Sequence, residues 1–125
     1  MQVPIHITVR DIAHSEALET QIRERVQKLE HIFDGIVSCR VTVSRPGGHK
    51  HQGKEYQVSI DLHVPGSEIV VDRGHLNEDV YVALRDAFDA ATRRLEDYAR
   101  RMHARSRNQE AARHRQDRKS TRLNS

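Results

Sequence analysis

The sequence predicts an α/β chain of the α+β kind, in the order β-α-β-β-β-α, with a four-stranded mixed sheet and two helices packed on one face. Two observations carry this. Four short segments alternate apolar with polar residues, and two longer ones place apolar residues at steps of three and four. Each strand therefore has one apolar face, so both helices have to cover the same side of the sheet.

Val3, Ile5, Ile7 and Val9 alternate with Pro4, His6 and Thr8 and form the first strand. Ser15 is a suitable N-cap, with Glu16 and Glu19 in the first turn where the helix dipole favours acids. Leu18, Ile22, Val26, Leu29 and Phe33 then make a helical stripe over about 15–33. Asp34-Gly35 is expected to end it with the glycine in the left-handed conformation. The second strand carries Val37, Cys39, Val41 and Val43, and RPGGHKHQGK (45–54) is an exposed loop. Tyr56, Val58, Ile60, Leu62 and Val64 form the third strand, and Pro65-Gly66-Ser67 turns into a short fourth with Ile69 and Val71. Asn77 or Asp79 caps the second helix, whose stripe is Val80, Leu84, Ala87, Ala91, Leu95, Tyr98 and Met102. A helix between the first two strands makes them parallel, and the next two pairings antiparallel hairpins.

The chain divides into a domain over 1–103 and a basic tail over 104–125, expected to be disordered or a frayed helical extension. The closing KSTRLNS is read as non-native and given no functional weight. Charge follows the same division. Residues 1–92 hold 10 Lys and Arg against 14 Asp and Glu, whereas residues 93–125 hold 11 against 4. A mildly acidic body with a basic C-terminal quarter points to a polyanionic partner, nucleic acid before membrane. No apolar run reaches the roughly 18 residues of a membrane span, and the N-terminus lacks a signal-peptide block, so the expected location is the cytoplasm. Cys39 is the only cysteine, which excludes an intrachain disulfide and a cysteine-rich zinc site.

Nothing in the sequence supports catalysis. It has no phosphate-binding glycine loop, no HExxH pair and no nucleophile elbow, and Asp61 and Asp72 read as solvated strand-face carboxylates. Cys39 lies on an apolar face, where a thiol packs as a small hydrophobe. His49 and His51, with His63 on the next strand, find no third ligand at convincing spacing and read as polar loop residues. The expectation is a non-enzyme without cofactor, metal or small-molecule substrate.

The arginines of the second helix are the remaining signal. Glu96 with Arg100 and Asp97 with Arg101 are spaced for i,i+4 pairs, but Arg93, Arg94, Arg105 and Arg107 have no nearby acids of their own. A planar fork of donors suits phosphate, so these residues point to an RNA backbone. Such contacts supply affinity and salt dependence without reading bases.

KLEHIFDGI (28–36) closing the first helix and EDVYVALRDAF (78–88) opening the second, within this order of elements, resemble the ribosome hibernation-promoting factor family. The ribosome-associated translation inhibitors are among its members, and the resemblance covers about residues 1–102. It implies a stress or stationary-phase factor that occupies the messenger and transfer RNA channel of the small ribosomal subunit and inhibits translation. By motif alignment it implies ribosomal RNA contacts at Arg25 and Lys28 of the first helix and Arg93 of the second, with Arg94, Arg100 and Arg101 in the same basic stretch. Tyr81 and Leu84 also fall in the motif and are expected in the core. Gly35 stands where the family often has a basic residue, and the chain lacks both the long C-terminal domain and the acidic end of other members. Alternative readings are a generic double-stranded-RNA-binding module, or a protein-interaction module with an incidental basic tail.

Overall fold

The computed structural model describes residues 3–10, 12–13, 15–45, 55–72 and 76–124, apart from the side chains of Leu76 and of 110–124. The elements are β1 (Ile5–Arg10), α1 (Glu16–Ile32), β2 (Ser38–Ser44), β3 (Tyr56–Val64), β4 (Ser67–Val71), β5 (Leu76–Asn77) and α2 (Val80–Asn124). β1 to β4 lie side by side in sequence order, with β1 parallel to β2 and the next two pairings antiparallel. The α+β architecture is as predicted, with one addition. The two-residue β5 pairs with the start of β3, Tyr56 opposite Asn77, and two residues are too few to show an alternation.

One face of the sheet is dry. Cys39, Val41 and Val43 of β2 sit beside Val58, Ile60, Leu62 and Val64 of β3 and Ile69 and Val71 of β4, all buried. Leu18, Ile22, Val26 and Leu29 of α1 complete the core with Leu84, Ala87, Phe88, Ala91 and Leu95 of α2. Ile5 and Ile7, on an edge strand, are half-buried against it. The other face carries His6, Thr8, Arg40, Thr42, Gln57, Ser59, Asp61, His63 and Glu68 in aligned cross-strand rows. Val37 departs from its expected place: β2 begins one residue later, and Val37, donating to the His63 carbonyl, is 57% exposed at the rim.

α1 begins where its cap predicts, with the Ser15 hydroxyl accepting from the Leu18 amide at 3.2 Å. Its end differs from expectation. Phe33 is the C-cap in extended backbone, its amide donating to the Leu29 carbonyl, and the one positive-φ glycine among the described residues is Gly66, not Gly35. Gly35 has a steric role instead, since a Cβ there would lie 2.8 Å from the Phe33 ring. That ring cannot yield freely, because it stacks edge-on against Tyr98 at 5.2 Å and 88°. Gly35→Ala is therefore expected to destabilise the domain by about 1–3 kcal/mol, read as a lower urea midpoint with an unchanged m-value.

Both candidate caps of α2 are used. The Asn77 side chain accepts from the Asp79 amide at 2.8 Å, and the Asp79 carboxylate accepts from the Tyr81 amide at 2.9 Å. Leu84 is fully buried as expected, but Tyr81 is 42% exposed. The first turn of α2 lies at the rim of the core, where Val80 and Val82 are only half-buried. Beyond Met102 the helix is continuous to Asn124. Cys39 is buried, and desolvation first, then the Asp61 charge, pushes its thiol up to about 12. It stays protonated and unreactive at neutral pH. The loop bearing His49 and His51 lies outside the described residues.

Candidate nucleic-acid interface

Tyr98 joins three pieces of the fold. Its ring meets Phe33 at the end of α1, and its hydroxyl donates to the Pro65 carbonyl in the β3–β4 turn at 2.6 Å. That clasp brings α2 against the edge strand β4 and leaves a cleft of about 250 Å³ between them, lined by Arg93, Arg94 and Arg101 with Ser67, Glu68 and Asp97. The spacing of 93, 94 and 101 reaches one side of the helix because seven residues make about two turns. Three arginines thus border one narrow space.

Their partners leave most of their donors available. Arg93 Nε donates to the Asp89 carbonyl at 3.5 Å, and Arg94 donates to the Val70 carbonyl of β4. Each is tethered by one neutral acceptor, and neither has an ion pair among the described residues. Arg101 pairs with Asp97 at 3.4 Å as the spacing predicts, but Arg100 pairs with the other Asp97 oxygen at 3.6 Å instead of with Glu96. One carboxylate therefore serves two guanidinium groups. All three side chains are more than half exposed, and such pairs are worth little against solvent. The stretch keeps a strong excess of positive charge facing outward.

Arg25 and Lys28 do not line this cleft. Lys28 is exposed on α1, whereas Arg25 is half-buried with its Nε shielded and without a hydrogen-bond partner. The strand order makes α1 and α2 run the same way, and the Phe33–Tyr98 contact sets their relative height. Lys28 and Arg93 each lie five residues before that contact, about 7.5 Å back along either helix. Lys28 and Arg93 thus lie at a similar height on two helices that run the same way. A phosphate chain crossing both is a fitting ligand, since its charges repeat every several ångströms and need no base contact.

The fold recurs in solved structures. A Thermus thermophilus Protein Y N-terminal domain is similar with a TM-score of 0.63 at 20% identity, over 78% of this chain and 99% of that one. A ribosomal subunit interface protein from Coxiella burnetii is similar with a TM-score of 0.65 at 16% identity, over 78% and 98%. In sequence, the chain is 28% identical over 91 residues to a ribosome hibernation promoting factor of Azotobacter vinelandii, covering 73% of this chain and 78% of the relative. Residues 5–103 match the family described as sigma 54 modulation protein / S30EA ribosomal protein. A match over that span, with the fold and the two sequence runs that first suggested hibernation factors, makes the chain a member of this family.

Proposed function

We propose that the protein binds the small ribosomal subunit in the channel that messenger and transfer RNAs occupy, and so holds ribosomes out of translation. The convergence of Arg93, Arg94 and Arg101 on one cleft is the observation that carries this reading, with Lys28 and Arg25 on the neighbouring helix α1. Family membership and the name of the Azotobacter vinelandii relative support it. The protein acts as a non-catalytic plug: the arginines, with Arg100 beside them, hold ribosomal RNA phosphates, and the shape of the domain selects the site.

Sedimentation of ribosomes with the purified protein through sucrose tests this, over a series of salt concentrations and with duplex RNA as competitor. The expected result is co-sedimentation with small subunits and whole ribosomes that weakens as salt rises, through counterion release, and that duplex does not compete. Protein left in the supernatant overturns the reading. Protein that follows the duplex assigns it instead to general double-stranded RNA.

A further inference from the structure

The open face of the sheet holds a second group of side chains, on the side away from the helices. Pro65 and Gly66, the latter at φ +73°, occupy the two corners of the β3–β4 hairpin with the residues of a type II turn. That two-residue turn fixes the register: Val64 faces Ser67, His63 faces Glu68, and Asp61 faces Val70. Asp61 and His63 are two apart on β3 and share its open face. The ligand atoms of Asp61, His63 and Glu68 consequently lie within 4.8 Å of one another, with His63 Nε2 3.8 Å from Asp61 Oδ1.

Two features make this group more than a solvated patch. Asp61 Oδ1 is shielded from solvent yet accepts no hydrogen bond, although Arg40 stands directly across the strand pair. Among the described residues, His63 Nε2 at 3.8 Å is what stands nearest to offset that oxygen's lost hydration. Asp61 and Glu68 also bring carboxylate oxygens within 4.8 Å of one another on one face of the sheet. Two carboxylates at that distance repel each other, and a cation between them relieves the repulsion.

We propose that Asp61, His63 and Glu68 form a binding site for a zinc-type divalent cation. One imidazole nitrogen and two carboxylate oxygens are a three-ligand set for tetrahedral zinc, with water in the fourth position. Two carboxylates also neutralise the charge of the ion. The nitrogen donor and the small ligand number disfavour magnesium and calcium, which take oxygen ligands in larger shells. Arg40, across the strand pair from Asp61, weakens the site by its charge. Zinc here ties β3 to β4 at the end of the hairpin. This inference uses none of the basic residues proposed to contact RNA, although Glu68 also borders the cleft of Arg93, Arg94 and Arg101.

Isothermal titration of the full chain with zinc chloride tests it, on the wild type, His63→Ala, Glu68→Gln and a His49→Ala/His51→Ala control. His63 and Glu68 are exposed strand residues, and circular dichroism checks the fold of every variant. One equivalent of zinc is expected to bind the wild type and the loop control alike, and at least tenfold more weakly to either site variant. Magnesium at the same concentration is expected to give no heat. Unchanged zinc affinity in both site variants, loss in the loop control, or no binding to wild type at roughly 100 times the protein concentration overturns the site.

Discussion

Arg93→Glu/Arg94→Glu/Arg101→Glu is expected to abolish co-sedimentation with ribosomes while leaving the domain folded. The three residues border the cleft between α2 and β4, so their reversal turns the proposed phosphate seat into a repulsive one. A charge-assisted hydrogen bond is worth roughly 1.5–3 kcal/mol. Removing three such bonds at once weakens binding on the order of a thousandfold or more, before repulsion is added. None of the three packs in the core, and the one main-chain tether among them to another element is that of Arg94 to Val70. A melting temperature within a few degrees of wild type is the companion measurement. Wild-type sedimentation by a folded triple variant would remove the cleft from the proposed RNA surface. Arg25→Glu/Lys28→Glu, measured alongside, separates the contribution of α1, and a loss confined to that variant would move the surface there.

Leu62→Ala is expected to cost the domain about 2–5 kcal/mol, the range for truncating a buried leucine. Leu62 is fully buried in β3, paired with Cys39 on one side and Ile69 on the other. Strands held on both sides cannot close around the cavity, which places the effect in the upper part of that range. A small domain has only about 5–15 kcal/mol of stability in total, so the melting temperature falls by on the order of 10–30 °C. Val37→Ala is the control, because its side chain is mostly exposed and such changes stay within about 0.5 kcal/mol. Thermal and urea unfolding of both variants check the contrast. A Leu62→Ala change as mild as the control would contradict a single well-packed core.

How far the sequence revealed the structure depended on the length of each pattern. β3 runs over Tyr56–Val64, the limits its nine-residue alternation predicts, and Ser15 caps α1 because one hydroxyl at one position suffices. Tyr81 shows where periodicity fails: a stripe gives direction around the helix axis but not whether sheet lies beneath that turn. Gly35 was legible as a helix stop, but its reason, the Phe33 ring held against Tyr98, needs three-dimensional contact. The site divides the same way. The excess of arginine is visible in the charge count, whereas the selection of Arg93, Arg94 and Arg101 for one cleft depends on β4 standing opposite. Likewise His63 drew notice with the loop histidines, yet its neighbour Glu68 comes from the register of a turn, which composition does not encode.

The tether from Arg94 to the Val70 carbonyl has a consequence for self-assembly. β4 is an edge of the sheet, and an edge strand offers its spare backbone groups to any other extended chain that arrives. Here one of those acceptors is already taken by an arginine from the same molecule, and Glu68 adds a charge to the same five-residue strand. A second copy adding a strand would have to displace the guanidinium and crowd its own Glu68 and arginines against those already present. The residues proposed to hold a polyanion at this border thus also guard it against strand-to-strand polymerisation.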